Sequence, residues 1–154
     1  MRYDILGSVS TKGSQYTSED CVNNPISNTL MSCIDVDIRK LLKQITKYTD
    51  NSSNTSSAGA VTATTDYLVL PSQFEVLGIS TGANPSENNY QQQYTYFTDN
   101  AKKYRHSSTG TLCIWWTRSR ASNTSTYFNS VNTSGSRVSN SSAKSFGLSP
   151  IFLI

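Results

Sequence analysis

Groups able to do chemistry are scarce in this sequence. There is one histidine, His106, and there are three cysteines, Cys21, Cys33 and Cys113. A histidine beside a Ser or Cys is half of a nucleophilic dyad. His106, however, closes the basic run Lys102-Lys103-Tyr104-Arg105-His106, which reads as a solvated loop rather than as a phosphate- or base-stacking contact. No cysteine falls in a C-x-x-C, so neither a zinc site nor a disulfide framework is expected, while a Cys21–Cys33 bridge stays open. Asp35 and Asp37 stand two apart, which on a helix points them in different directions. Glu75 belongs to a capping box, and Glu87 and Asp99 read as loop carboxylates without a partner. Gly82 and Gly110 stand alone, so no phosphate-cradling loop forms. The expectation is no enzyme, no metal and no cofactor.

Trp115-Trp116 could stack on sugar faces. Adjacent strand residues face opposite ways, and Leu112 and Ile114 flank the pair, so core tryptophans are the better reading. The five N-x-S/T triplets, at Asn51, Asn54, Asn123, Asn132 and Asn140, carry no glycosylation claim. Ser, Thr and Asn make up 57 of the 154 residues, so such triplets arise by chance.

One segment does stand out. From Arg120 to Lys144 nearly every residue is Ser, Thr, Asn, Tyr, Arg or Gly. Tyr gives rigid amphipathic area, and the small polar residues give adaptable hydrogen bonding, which is the chemistry of recognition loops. Ligand contact is expected at Arg120, Ser122, Asn123, Thr124, Tyr127, Asn129, Asn132, Arg137 and Asn140. A bulge near Asn129–Ser130 would send Phe128 and Val131 inward and leave Tyr127 and Asn129 outward.

The elements that must position these residues can be read from patterning. Charged residues are only 15% of the chain and the net charge is +3. A dedicated nucleic-acid binder would be far more basic. No apolar run is long enough to span a membrane, and no signal peptide is evident at the start. The length fits one domain, 1–154, and the 16 aromatic residues argue against disorder. Ile34, Ile38, Leu41, Leu42 and Ile45 share a helical spacing, which predicts a helix over about 35–48. Residues 50–65 read as an exposed loop, and Tyr67–Leu70 as a short strand. Ser72-x-x-Glu75 with Gly78 predicts a capped helix over about 72–77. Leu112–Trp116 reads as a strand buried on both faces. Two further strands, 127–131 and 137–139, are joined by a turn at Asn132–Gly135, and Pro150–Ile154 is an apolar strand tied into the core. The class is α+β, two helices with a small, twisted, mostly antiparallel sheet.

Trp115-Trp116-Thr117-Arg118-Ser119, Phe128-x-x-Val131, Gly135 and Gly147-x-x-Pro150-x-Phe152 resemble the ending of a family of C-terminal domains from Gram-positive bacteria and their prophages. Upstream pieces match as well, among them Met1-Arg2, Lys47–Asn51, Thr62–Tyr67, Leu70-Pro71-Ser72 and Tyr90-x-x-x-Tyr94. The resemblance implies a C-type lectin-like fold of the formylglycine-generating-enzyme type, here the C-terminal part of a longer protein. It also implies kinship with variable proteins diversified by retroelements, which enrich Asn, Ser, Thr and Tyr near the C-terminus. The cysteine pair of the enzyme branch and the EPN and WND tripeptides of calcium-dependent lectins are missing. Arg118 follows the tryptophans in the motif and is given a structural role. The implied function is non-enzymatic receptor binding or adhesion from a phage tail, on the virion, or from a bacterial surface protein. The partner would be a host cell-surface protein or glycan, with no nucleic acid and no membrane insertion. A homo-oligomer is expected, a trimer if carried on a tail fibre. The alternatives are a structural virion or surface-assembly component, and an enzyme-like domain without catalysis.

Overall fold

The computed structural model describes residues 22–25, 27–51, 57–122, 124 and 126–154. Gly7, Gly13, Cys21 with its pairing to Cys33, Asn54 and Asn123 lie outside the described residues. The chain is α+β, with a few short helices and small antiparallel sheets. It divides into two compact units. One comprises Met1–Lys47, Thr64–Val69 and Pro150–Ile154, and the other Tyr48–Ala63 and Leu70–Ser149.

In the first unit, α1 (Leu30–Cys33) starts at Thr29, whose hydroxyl accepts from Ser32 N, and α2 (Val36–Arg39) starts at Asp35, whose carboxylate accepts from Asp37 N. Met31, Leu42 and Leu68 form the core, with Val22, Leu30, Ile34 and Tyr67 around them. The expected helix over 35–48 is corrected. It stops at Arg39, and Ile45–Asp50 is a strand, β1, paired with β2 (Val61–Asp66). Both segments are rich in Thr and other β-branched residues, which suit a pleated surface. Thr46 and Thr65 bond at 2.9 Å, and Asn51 N donates to Ala60 O at 2.9 Å, so the partner number falls as the strand advances. The helical stripe therefore never assembles. Ile38 and Leu41 stay exposed, and only Leu42 of that run is fully buried. The end of the expected 50–65 loop, from Val61 on, is likewise strand β2, entered through a 3₁₀ turn at Ala58–Ala60. Single antiparallel bridges tie Val69 to Ile151 and Lys43 to Leu153. The final residues are thus held by backbone bonds while Phe152, Leu153 and Ile154 remain exposed.

Among its described residues the second unit carries α3 (Gln73–Leu77), four 3₁₀ turns (Ala58–Ala60, Pro85–Tyr90, Thr95–Thr98, Asn100–Lys103) and five whole strands. The capping box is formed as the spacing requires: Glu75 N donates to Ser72 Oγ at 3.0 Å and Ser72 N to Glu75 Oε2 at 2.8 Å. Gly78 closes the helix at φ 69°, a left-handed conformation that glycine adopts without steric cost. Strands β3 (Arg105–His106) and β4 (Leu112–Cys113) form a small ladder, and β5 (Trp115–Arg120), β6 (Tyr127–Val131) and β7 (Arg137–Ser141) form an antiparallel sheet in that order.

The expected continuous strand over 112–116 is divided at Ile114, whose carbonyl accepts from Gly147 N at 2.8 Å. Leu112 is exposed, and the strand buried on both faces starts at Trp115 and runs on through Thr117, Arg118, Ser119 and Arg120. The turn at Asn132–Gly135 is present, with Asn132 Oδ1 accepting from Ser134 N and Ser136 N, each at 2.9 Å. The irregularity expected on β6 falls instead on β5, between Trp116 and Arg120, and β6 pairs with β7 without a break. Val76, Phe97, Trp115 and Val131 make the core of this unit.

Candidate functional site

A central strand whose sequence is Thr-Arg-Ser-Arg can be buried only if each polar group finds a partner. Arg118, 5% exposed, is met by four carbonyl or carboxylate contacts. Its guanidinium forms a short ion pair with Glu75, donates to Leu70 O at 2.9 Å and reaches Tyr48 O at 3.4 Å. Tyr94 Oη donates to the other oxygen of Glu75 at 3.0 Å. The structural role assigned to Arg118 follows from these contacts.

One residue along β5, Ser119 Oγ accepts from Gln73 N at 2.9 Å and donates to Glu87 Oε2 at 2.6 Å. Asp50 N donates to Glu87 Oε1 at 3.0 Å. Glu87, read from sequence as a loop carboxylate without a partner, is thus 1% exposed and holds β1, the Pro85–Tyr90 turn and β5 together. A signal for it was available: Asn84-Pro85-Ser86-Glu87 has the N-cap and N3 spacing seen at Ser72 and Glu75. Glu75 and Glu87 each have both carboxylate oxygens hydrogen-bonded and are enclosed, so they serve as a frame. An acid/base pair in a cleft would need open faces.

Burial pushes the Glu87 carboxyl above the usual carboxylate range. Its bonds from Ser119 and Asp50 N and the Arg118 charge oppose the shift, and the Asp50 charge adds to it. A carboxyl raised in the folded state binds its proton more tightly there than when unfolded. Its contribution is therefore fully present below the ordinary value and falls as pH rises through the folded one, by at most ~1.4 kcal/mol per pH unit. Glu87→Gln keeps the size and the acceptor for Asp50 N. Urea midpoints measured across that window should fall with pH more steeply in the wild type than in Glu87→Gln; parallel curves would refute the assignment.

The recognition segment divides into a frame and a surface. Tyr127 is 40% exposed at the start of β6. The outward placement of Asn129 is corrected: it is fully buried, and its carboxamide donates to Gly82 O at 3.0 Å and Arg120 O at 3.1 Å and accepts from Arg137 Nε at 3.2 Å. With the extra residues inserted on β5 and none on β6, Asn129 keeps strict alternation and shares its face with the buried Val131. Arg120 is also buried, and its Nη2 donates to Thr124 O at 3.0 Å. Ser122 N donates to Gly82 O at 3.1 Å. Gly82 sits at φ 78° against the Arg137 guanidinium, where a side chain would collide. Asn132 fastens the hairpin turn, and Asn140 Nδ2 donates to Ser130 Oγ at 3.0 Å. Ser122, Thr124, Asn132, Arg137 and Asn140 are half-buried. Thr124 Oγ1 is enclosed with no hydrogen-bond partner among the described residues.

His106 and Cys113 lie on paired strands, but His106 stands opposite Leu112 and Cys113 opposite Arg105. Neighbouring positions on a ladder face opposite sides, so the register keeps the two apart. Among the described residues no group of three or more His, Cys, Asp or Glu could hold a metal ion. Nor is any described helix long and apolar enough to cross a membrane.

A family model described as a domain of unknown function (DUF6273) matches residues 13–154. No curated protein and no solved structure matches the chain.

Proposed function

The chain belongs to the family DUF6273, and we propose that it is a non-enzymatic recognition domain of C-type lectin-like form. In this reading it is carried on a phage tail or a bacterial surface protein and binds a host cell-surface protein or glycan without metal or cofactor. One observation carries the proposal. Buried Arg120 donates to Thr124 O and buried Asn129 to Arg120 O, while Tyr127 stands exposed at the start of β6. A polar surface fixed from beneath loses little freedom when a partner docks, which favours affinity.

The contact residues in this reading are Tyr127 with Ser122 and Thr124, and with Asn132, Arg137 and Asn140 along the hairpin; Asn123 belongs to the same expected set and lies outside the described residues. Arg120 and Asn129 act by positioning them. The test is a binding screen of the purified domain on bacterial cells and on a glycan array. Tyr127→Ala should leave stability within ~0.5 kcal/mol, as for an exposed surface change. Its binding should weaken by ~2 kcal/mol or more, about thirtyfold. Retained binding, or an unfolded variant, would defeat the assignment of this face.

A further inference from the structure

Away from the 120–140 segment, Tyr90 ends the Pro85–Tyr90 turn with its ring stacked on Tyr48, centroids 4.1 Å apart and planes 11° from parallel. One face of the Tyr90 ring is covered in this way, yet the residue is 55% exposed. Its other face is the open one.

A single exposed tyrosine is ordinary. The number of buried groups that fix this one is not. Three residues before it, Glu87 is buried and bonded to Asp50 N at 3.0 Å and Ser119 Oγ at 2.6 Å. Immediately after it, Gln91 Nε2 donates to Tyr48 O at 2.8 Å, and Gln91 Oε1 accepts from Ser72 Oγ. Arg118 reaches the same Tyr48 carbonyl. Asn84 Oδ1 caps the turn by accepting from Ser86 N at 3.0 Å, and Pro85 sets its first dihedral. Tyr48 is therefore held at its carbonyl, and Tyr90 sits between two anchored residues, Glu87 and Gln91.

The surroundings select the ligand. From Asn88 to Thr98 the sequence has no charged residue, so a phosphate-bearing base would find no cation on this segment. Asn89 and Gln92, the residue before Tyr90 and the second after it in sequence, are exposed, and carboxamides both donate to and accept from hydroxyl groups. The electron-rich face of an aromatic ring attracts the weakly positive C–H bonds on the flat side of a pyranose. We propose that the outer face of Tyr90, with Asn89 and Gln92 at its rim, is a stacking site for an uncharged saccharide, separate from the 120–140 surface.

The probe is an array of uncharged oligosaccharides of glucose, galactose, mannose and their N-acetylated forms, with hits titrated in solution against the intact chain. Saccharide binding should weaken about tenfold in Tyr90→Ala and stay near wild type in Tyr90→Phe, because the π face and not the hydroxyl is used. Tyr90→Leu keeps an apolar side chain against Tyr48 and should also lose binding, which covers the case of an unstable alanine variant. Absence of any saccharide binding overturns the proposal. So does a hit that survives in both Tyr90→Ala and Tyr90→Leu; if that hit is lost in Tyr127→Ala, the 120–140 face stands and the Tyr90 site falls.

Discussion

Arg118→Ala is expected to destabilise the chain by about 3–5 kcal/mol, the cost of leaving one member of a buried ion pair without the other. Both side chains are 2% exposed. An exposed pair would be worth under ~1 kcal/mol. The alanine variant leaves the Glu75 carboxylate enclosed without its cationic partner, and strips donors from the carbonyls of Leu70 and Tyr48. Against a typical total stability of ~5–15 kcal/mol, that loss is a large fraction of the whole. Urea titration followed by far-ultraviolet dichroism measures it. Pairing Arg118→Met with Glu75→Gln in a double-mutant cycle separates coupling from truncation, since contacting residues should deviate from additivity by more than ~0.5 kcal/mol. A midpoint shift for Arg118→Ala no larger than that of a surface substitution would show that the pair is not the keystone of β5.

Trp115→Ala should cost a similar amount, ~3–5 kcal/mol, for a different reason. Trp115 is fully buried and packs with Val76, Phe97 and Val131. Its ring lies 6.1 Å from that of Phe97 and 4.8 Å from the Arg105 guanidinium carbon. Its indole N–H donates to Lys103 O at 2.9 Å. Alanine leaves a cavity at the centre of the unit and an unpaired carbonyl at its edge. Trp115→Phe retains most of the apolar contact and should lose chiefly the Lys103 bond, ~1 kcal/mol. Thermal unfolding of the two variants gives the order directly. If phenylalanine proved as damaging as alanine, the hydrogen bond and cation contact would outweigh the packing, contrary to this account.

Where the sequence pattern predicted structure well, the forces are local. Ser72, Glu75 and Gly78 lie within two turns of one another, so the α3 cap and stop could be read from spacing alone. The Asn132–Gly135 turn is equally short-range, because one Asn side chain satisfies the backbone N–H groups that follow it. Composition pointed to a polar segment over 120–144 with Tyr127 among Ser, Thr and Asn, and burial of both tryptophans followed from their apolar neighbours.

Tertiary structure decided the rest, because the deciding partners are far away along the chain. Ile45 ends a helical spacing of apolar residues that begins at Ile34, yet Ile45–Asp50 becomes a strand once Val61–Asp66 offers a β-branched ladder. Its propensity is set by what lies opposite, which no local window contains. Arg118 meets Glu75 across 43 positions, and Ser119 meets Glu87 across 32. Residue types alone made Arg120 and Asn129 look like ligand contacts, and packing turned them inward, since a buried guanidinium or carboxamide is stable only where backbone carbonyls converge on it. Types and short spacings determined the caps, the turn and the chemistry of the surface; only the closing of distant segments decided which polar groups face solvent and which hold the fold.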